Sequence, residues 1–271
     1  MRPRARLMAT VPLVAALGLL STDTEPSPGR QATPSAVVAP VGALFRGSLA
    51  DGHSCTATVL DTPPGDLVLT AAHCVSGTAV GYRFVPGYDS GRTPYGVWRV
   101  TAVFVDAAWR DRQDPGHDVA VLRVAAWVMP RGQRLTVERL TGGYPVGPTP
   151  PTGTAITDIA YNAGVDDAPI ACATTVQPLH GYPAFVCGGF IGGSSGSPWL
   201  REVPESPGLA GGEADTPGRE VVGVIGGRHQ GGCRDWISYS SQFAGQVSQL
   251  VHAASAHHLP SVAPAADDDG C

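Results

Sequence analysis

What most constrains the fold of this chain is how often it is interrupted: 35 glycines and 25 prolines fall among its 271 residues. Proline removes a backbone donor and fixes φ, and glycine loses the most conformational entropy on ordering, so neither suits a helix interior. Between them lies a succession of short apolar runs rich in β-branched residues, the signature of strands in an all-β barrel or sandwich. One set covers 41–48, 55–60, 67–70, 81–85, 98–105 and 119–124, and a second covers 154–160, 171–176, 184–187, 197–200, 221–225 and 236–239. Only near the end does the period change. Phe243, Val247, Leu250, Val251 and Ala254 share one helical face, which predicts a helix over 241–256 that packs on the second strand set, with Ser240 or Ser241 as N-cap.

Three polar motifs break this apolar pattern. Thr70-Ala71-Ala72-His73-Cys74 puts a histidine on a tight turn after Leu67-Val68-Leu69, beside a cysteine able to staple that turn. A histidine held there can face a nucleophile with one ring nitrogen and a carboxylate with the other. His117-Asp118 then opens the apolar run Val119-Ala120-Val121-Leu122, a position that also suits a plain strand cap. Gly192-Gly193-Ser194-Ser195-Gly196-Ser197-Pro198 is a serine-bearing glycine turn.

In this order the three motifs resemble those of the trypsin/chymotrypsin-like serine proteases, including the bacterial secreted, glutamyl-endopeptidase-like branch. The resemblance implies two six-stranded antiparallel β-barrels, about 41–140 and 150–240, followed by the C-terminal helix, all within a protease domain at 41–256. It makes His73 the general base, Asp118 its orienting carboxylate and, aligned on Pro198, Ser195 the nucleophile. The backbone N–H groups of Gly193 and Ser195 become the oxyanion hole. Two positions depart from the family: Ser194 replaces an aspartate and Ser197 a second glycine. His117 acquires no role and reads as a solvated strand-edge residue. The specificity pocket falls on Gly189, Ile225, Gly226, Gly227 and Arg228. Gly189 offers no acid, which favours a small or apolar side chain at P1, the substrate residue before the cleaved bond, while Arg228 and His229 could instead favour an acidic one.

Six cysteines permit 15 pairings. The resemblance pairs Cys55 with Cys74, a closure that stabilises by about 3 kcal/mol on the chain-entropy model. Cys172 and Cys187 flank a segment upstream of the serine turn and can pair, leaving Cys233 with Cys271; the alternative joins Cys187 to Cys233. A zinc reading of His53, Cys55, His73 and Cys74 fits no standard ligand spacing. No cofactor or metal is expected.

Two other functions compete. Gly192-Gly193-Ser194-Ser195-Gly196 also fits the nucleophile elbow of an esterase using Ser194, with Asp215 or Asp235 and His252 as partners. Such an elbow must enter a helix, and Pro198 follows too soon. A protease-fold binding protein that no longer cuts is the other.

The formal charge of −5 leaves no basic footprint for nucleic acid. Arg2, Arg4 and Arg6 precede an apolar stretch from Leu7 to Leu20, which reads as a signal peptide over 1–21 and implies a secreted, extracellular protein. Residues 22–40 are expected to form a disordered linker or propeptide, 201–220 an exposed insertion and 257–271 a disordered tail with Asp267-Asp268-Asp269 solvated. The expected partners are protein or peptide substrates, met by a monomer away from any membrane.

Overall fold

The computed structural model describes residues 26–164, 167–204, 218–268 and 270–271. The expected signal segment at 1–21 and most of the expected insertion at 201–220 lie outside them.

After a short β1 (Thr33–Pro34), the first half forms a closed barrel. Its strands are β2 (Val41–Phe45), β3 (Cys55–Val59), β4 (Leu67–Thr70), β5 (Arg83–Pro86), β6 (Trp98–Val105) and β7 (Ala120–Val124), hydrogen-bonded in the order β2-β3-β4-β7-β6-β5. A helix α1 (Ala107–Arg112) lies between β6 and β7. Alternation along each strand sends side chains to two faces, and both are largely buried, with Arg99 and Thr101 of β6 exposed. Leu44, Val68, Phe84, Trp98 and Leu122 pack on one. Val41, Ala43, Leu67, Leu69 and Val121 pack on the other, where Ile159, Tyr161, Leu200 and Val221 of the second half meet them. The halves therefore share one apolar core.

A two-strand ladder, β8 (Trp127–Val128) with β9 (Arg134–Leu135), and a helix α2 (Val137–Thr141) lead to the second half. There β10 (Ala155–Tyr161), β11 (Pro169–Thr175), β14 (Pro198–Val203) and β15 (Gly218–Val224) form a sheet with β1, in the order β1-β11-β10-β14-β15. The strands β12 (Gln177–Leu179), β13 (Tyr182–Val186) and β16 (Ile237–Tyr239) form a three-stranded sheet. The two curl together: Gly226 N donates to Tyr239 O at 2.9 Å, Thr174 Oγ1 donates to Val186 O at 3.2 Å, and Cys172–Cys187 bridges the same edge. The fold is the expected all-β pair of barrels with a C-terminal helix, α3 (Gly245–Ser255).

The disulfides are Cys55–Cys74, Cys172–Cys187 and Cys233–Cys271, so the alternative Cys187–Cys233 does not form. Two clusters of possible metal ligands occur among the described residues, and each contains one of these bridges, which leaves no thiolates to bind an ion.

Several expectations need correction. Residues 26–40 are not a free linker: Ala32 N donates to Gly188 O at 2.8 Å, Ser35 N to Pro169 O at 2.9 Å, and β1 adds a strand to β11. The described residues of 257–271 are not a free tail either, because Ala263 is buried and exchanges two backbone bonds with Gly77. Low-complexity composition hid backbone pairing, which needs no particular side chain. The strands extend into the expected insertion as far as Val203 and from Gly218, with Arg201 and Glu220 ion-paired across the ladder. Neither Ser240 nor Ser241 caps α3. Ser240 Oγ accepts from Val224 N and Ser241 Oγ donates to Pro115 O, and the N-cap is Ala244.

The helix also docks elsewhere than expected: α3 lies against β4, β6 and β7 of the first barrel. Val247, Leu250 and Ala254 join the shared core there. Arg123 of β7 anchors its end, donating to the Ala254 carbonyl while lying 5.6 Å over Phe104 and 3.7 Å from Asp66 Oδ2. A cation at a helix C-terminus satisfies an orphan carbonyl and the helix dipole together. Arg123→Ala should lower unfolding free energy by about 2 kcal/mol, since it strands a carbonyl and a buried carboxyl group. Chemical denaturation checks this, and an unchanged midpoint would deny Arg123 its anchoring role.

Candidate active site

His73 sits in a short 3-10 turn, Ala72–Cys74, that leaves the end of β4. The turn is fixed from both sides. Cys74 is bonded to Cys55 at the start of β3, and the Thr70 hydroxyl donates to Thr56 O at 2.8 Å. Asp118 follows another 3-10 turn, Pro115–His117, and is fully buried. Its Oδ2 accepts from His73 Nδ1 at 2.7 Å and from Gly227 N at 2.8 Å, while Oδ1 accepts from the His73 backbone N at 2.9 Å. Bonded through Nδ1, the ring is left with Nε2 to face elsewhere. His117 is partly exposed and lies near Asp106 and Asp114, apart from this pair.

The serine turn comes from the second half and is bolted to the first. Thr56 N donates to Ser195 O at 2.8 Å, its hydroxyl donates to Gly193 O at 3.0 Å, and that hydroxyl accepts from Tyr161 N at 3.0 Å. Two glycines make the turn possible. Gly193 has φ +98°, and a Cβ there would lie 2.3 Å from Ala163 N; Gly196 has φ +80°, and its Cβ would lie 2.1 Å from Thr70 Oγ1. Only glycine tolerates both the conformation and the approach.

The two departures from the family pattern have structural partners. Ser194 is buried and donates to Ile191 O at 2.7 Å, and strand β14, not a helix, follows at Pro198. An elbow nucleophile must be exposed at the mouth of a helix, so the esterase reading of Ser194 is overturned. Ser197 is fully buried, and its Oγ lies 2.6 Å from each carboxyl oxygen of Asp158 on β10. The hydroxyl has one proton to give, shared between the two carboxyl oxygens. Burial pushes the Asp158 carboxyl well above the ordinary carboxylate range, and the Ser197 bond only partly opposes it.

His73, Ser195, Gly193 and Ile225 line one cleft of about 400 Å3. Of the expected pocket residues, Ile225 alone is in that lining. Gly226 and Gly227 instead pack on Asp118 and on Ser240–Ser241, Gly189 faces Ala32, and Arg228 lines a neighbouring hollow with His180 and Tyr239. Phe190, Ile191, Ile237 and Ser238 form walls that the sequence reading missed, because their order along the chain does not reveal which strand faces the cleft. Thr56 and Asp158 were missed too, being ordinary strand residues until the halves are brought together.

A second histidine–aspartate pair lies away from the cleft. His53 Nε2 meets Asp167 Oδ1 at 3.1 Å, and the Tyr88 hydroxyl donates to Asp167 Oδ2 at 3.2 Å. Burial lowers the pKa of His53 against the opposing pull of Asp167. The pair anchors the loop after β10, where Ala163 N donates to Gly192 O at 2.8 Å and Asn162 Nδ2 to Gly189 O at 2.7 Å. It supports the serine turn from behind.

Two barrels with a buried histidine–aspartate pair and a serine turn at one cleft define the class: a chymotrypsin-like fold carrying protease-type machinery. The family model Trypsin matches residues 28–160, a span that holds His73 and Asp118 and stops before Ser195. The fold is similar to that of the protease Anisep from Arthrobacter nicotinovorans, at 20% identity and TM-score 0.64 over 83% of this chain and 99% of that one. It is similar also to the thermostable serine protease AL20 from an extremophilic microorganism, at 22% identity and TM-score 0.62 over 80% and 97% of the two chains. A Glu endopeptidase solved in complex with MPD aligns at 17% identity and TM-score 0.61, over 84% and 98%. No curated protein matches the chain by sequence. Over residues 28–160 the chain matches the Trypsin family, and its fold is that of the chymotrypsin-like serine proteases.

The buried acid yields a pH test. Its native carboxyl keeps a proton to higher pH than the unfolded one, so above about pH 4 the native state binds more protons and loses stability as pH rises. Asparagine keeps a donor and an acceptor for Ser197 but cannot ionise. Asp158→Asn should therefore gain stability relative to the parent as pH rises from about 4 to about 8. A stability difference that stays flat across that range would show that Asp158 is not held protonated.

Proposed function

We propose that the protein is a secreted serine endopeptidase that cuts peptide bonds through His73, Asp118 and Ser195 by way of an acyl-enzyme. The observation that carries this reading is the buried Asp118 carboxylate on His73 Nδ1 at 2.7 Å, in a histidine that shares its cleft with Ser195. His73 Nε2 takes the Ser195 hydroxyl proton as the oxygen attacks the substrate carbonyl, and Asp118 steadies the imidazolium that results. The N–H groups of Gly193 and Ser195 receive the oxyanion, in a turn that Thr56 holds rigid. His73 then protonates the leaving amine, and water reverses the sequence to free the acid.

The walls Phe190, Ile225 and Ile237 support a small or apolar P1 residue, while Arg46, Arg234 and Asp235 lie at the charged rim. Three disulfides favour an oxidising, extracellular setting. A non-cutting binding protein would need that pair only as a brace between the halves, without a serine beside it in the cleft. Peptide substrates need neither metal nor cofactor in this chemistry.

Ser195→Ala should lower kcat by about 10⁶-fold, as nucleophile loss does in other triads, and abolish labelling by a fluorophosphonate. Ser194→Ala should cost far less. Near-parental proteolysis by Ser195→Ala would sink the assignment, and a folded parent that takes no label would favour the binding protein. In a peptide library, cleavage confined to Arg or Lys at P1 would refute the apolar pocket.

A further inference from the structure

The proposed mechanism makes no use of the last residues of the chain, yet they reach its cleft. Beyond α3 the chain first braces the first barrel: Ser261 N donates to Val103 O, and Ala263 pairs with Gly77 inside the core. That bracing ends at Ala263. Residues 265–268 are exposed and add nothing to the core, but they are held at several points.

Gln113 donates from Nε2 to Ala265 O at 3.0 Å and accepts from Asp267 N at 2.9 Å through Oε1. From the opposite bank, Gln230 Nε2 donates to Asp267 O at 2.7 Å. Both glutamines have left-handed backbones, φ +49° and +50°, a conformation rare outside glycine. Gln113 has that conformation as the C-cap of α1, its N–H closing the last turn on Ala108 O and Trp109 O. Cys271 is then bonded to Cys233, itself a residue of the cleft wall.

The strap separates two spaces. Ala266 lines the cleft that holds His73 and Ser195. Asp267 and Asp268 line a hollow of about 190 Å3 beyond it, with Trp109, Gln113 and Gly227. His229 and Gln230 line both, so the groove would continue from one to the other without the strap. Its second anchor, Gln230, lies a few residues beyond Ile225, a wall of the P1 pocket proposed above and so on the acyl side of the scissile bond, while Arg46 and Ser54 line the cleft as well.

We propose that residues 265–268, tethered through Cys271, form a partition across the acyl side of the cleft, which selects substrates having a short segment N-terminal to the cleaved bond. The inference rests on the protease reading above. A partition acts by exclusion: a longer acyl segment must displace the strap and give up the bonds from Gln113 and Gln230, whereas a short one meets no obstacle.

The test uses peptides with one scissile residue and one leaving side but increasing acyl-side length. The parent is compared with a chain ending at Pro264 that also carries Cys233→Ser, and with Gln113→Ala/Cys271→Ser, which keeps the strap but loosens it. Fluorophosphonate labelling of Ser195 is followed in each, as a small probe that bypasses the partition and reports a folded site. In the parent, kcat/KM should fall as the acyl side lengthens. In both variants the ratio of long-peptide to short-peptide kcat/KM should rise about tenfold, a modest change in differential binding. Retained labelling with an unchanged length profile would overturn the partition alone. A parent that takes no label would overturn the enzymatic reading and the partition with it.

Discussion

The site depends on one carboxylate that collects donors from both halves of the molecule. Asp118 ends a turn of the first barrel and accepts from the backbone and ring of His73, on a different turn of the same barrel, and from Gly227 in the second half. A fully buried carboxylate is costly unless its lone pairs are met, so each of these bonds is also a constraint on where the halves can sit. Gly226 has to be small for the same reason, since a Cβ there would lie 3.0 Å from Asp118 Oδ2. The acid that orients the histidine thus also sets the register between the barrels.

Thr56 performs the complementary task for the serine turn. Its amide, hydroxyl and carbonyl are all engaged, with Ser195, Gly193, Tyr161 and Thr70. The oxyanion hole proposed at Gly193 and Ser195 would have to be organised before charge develops, and a strand of the opposite barrel holds that turn. Before the proposed nucleophile stands a serine, Ser194, which closes the turn on Ile191. An acid comes from another direction, as Asp158 beneath Ser197. A neutral, buried acid hydrogen-bonded to a hydroxyl can fix a loop without the ion pair that a charged one would require.

Much of this was legible in the sequence, and for identifiable reasons. The strands β4 and β6 span the residues expected of them, with Asp66 just before the one and Asp106 just after the other. His73, Asp118 and Ser195 stood out because each interrupts an apolar pattern in a fixed setting. The rest was hidden by the nature of the signal. Thr56 and Asp158 occupy strand positions where one more polar residue means little until its neighbour across the fold is known. The docking of α3 against the first barrel could not be read from its apolar face, which fits either barrel equally. Both flanking segments looked too polar and too poor in pattern to order, yet they are held by backbone bonds and, at the end, by a covalent link.

That covalent link closes the argument about architecture. Two of the three disulfides join a part of the cleft wall to something stiffer or more distant, the histidine turn to β3 and the pocket wall to the end of the chain, while Cys172–Cys187 ties the residue after β13 to β11. Cys55–Cys74 and Cys172–Cys187 close short loops within a barrel, at sequence separations of 19 and 15 residues. The third, Cys233–Cys271, spans 38 residues and carries the chain across the groove. A longer closed loop restricts the unfolded state more, but here most of the added length is already pinned by α3 and by the Gly77–Ala263 pair. What the third bridge chiefly constrains is the exposed segment that follows Ala263, which buries no core and touches the cleft. Its place in the structure is therefore better explained by the shape it gives the groove than by the stability it adds to the barrels.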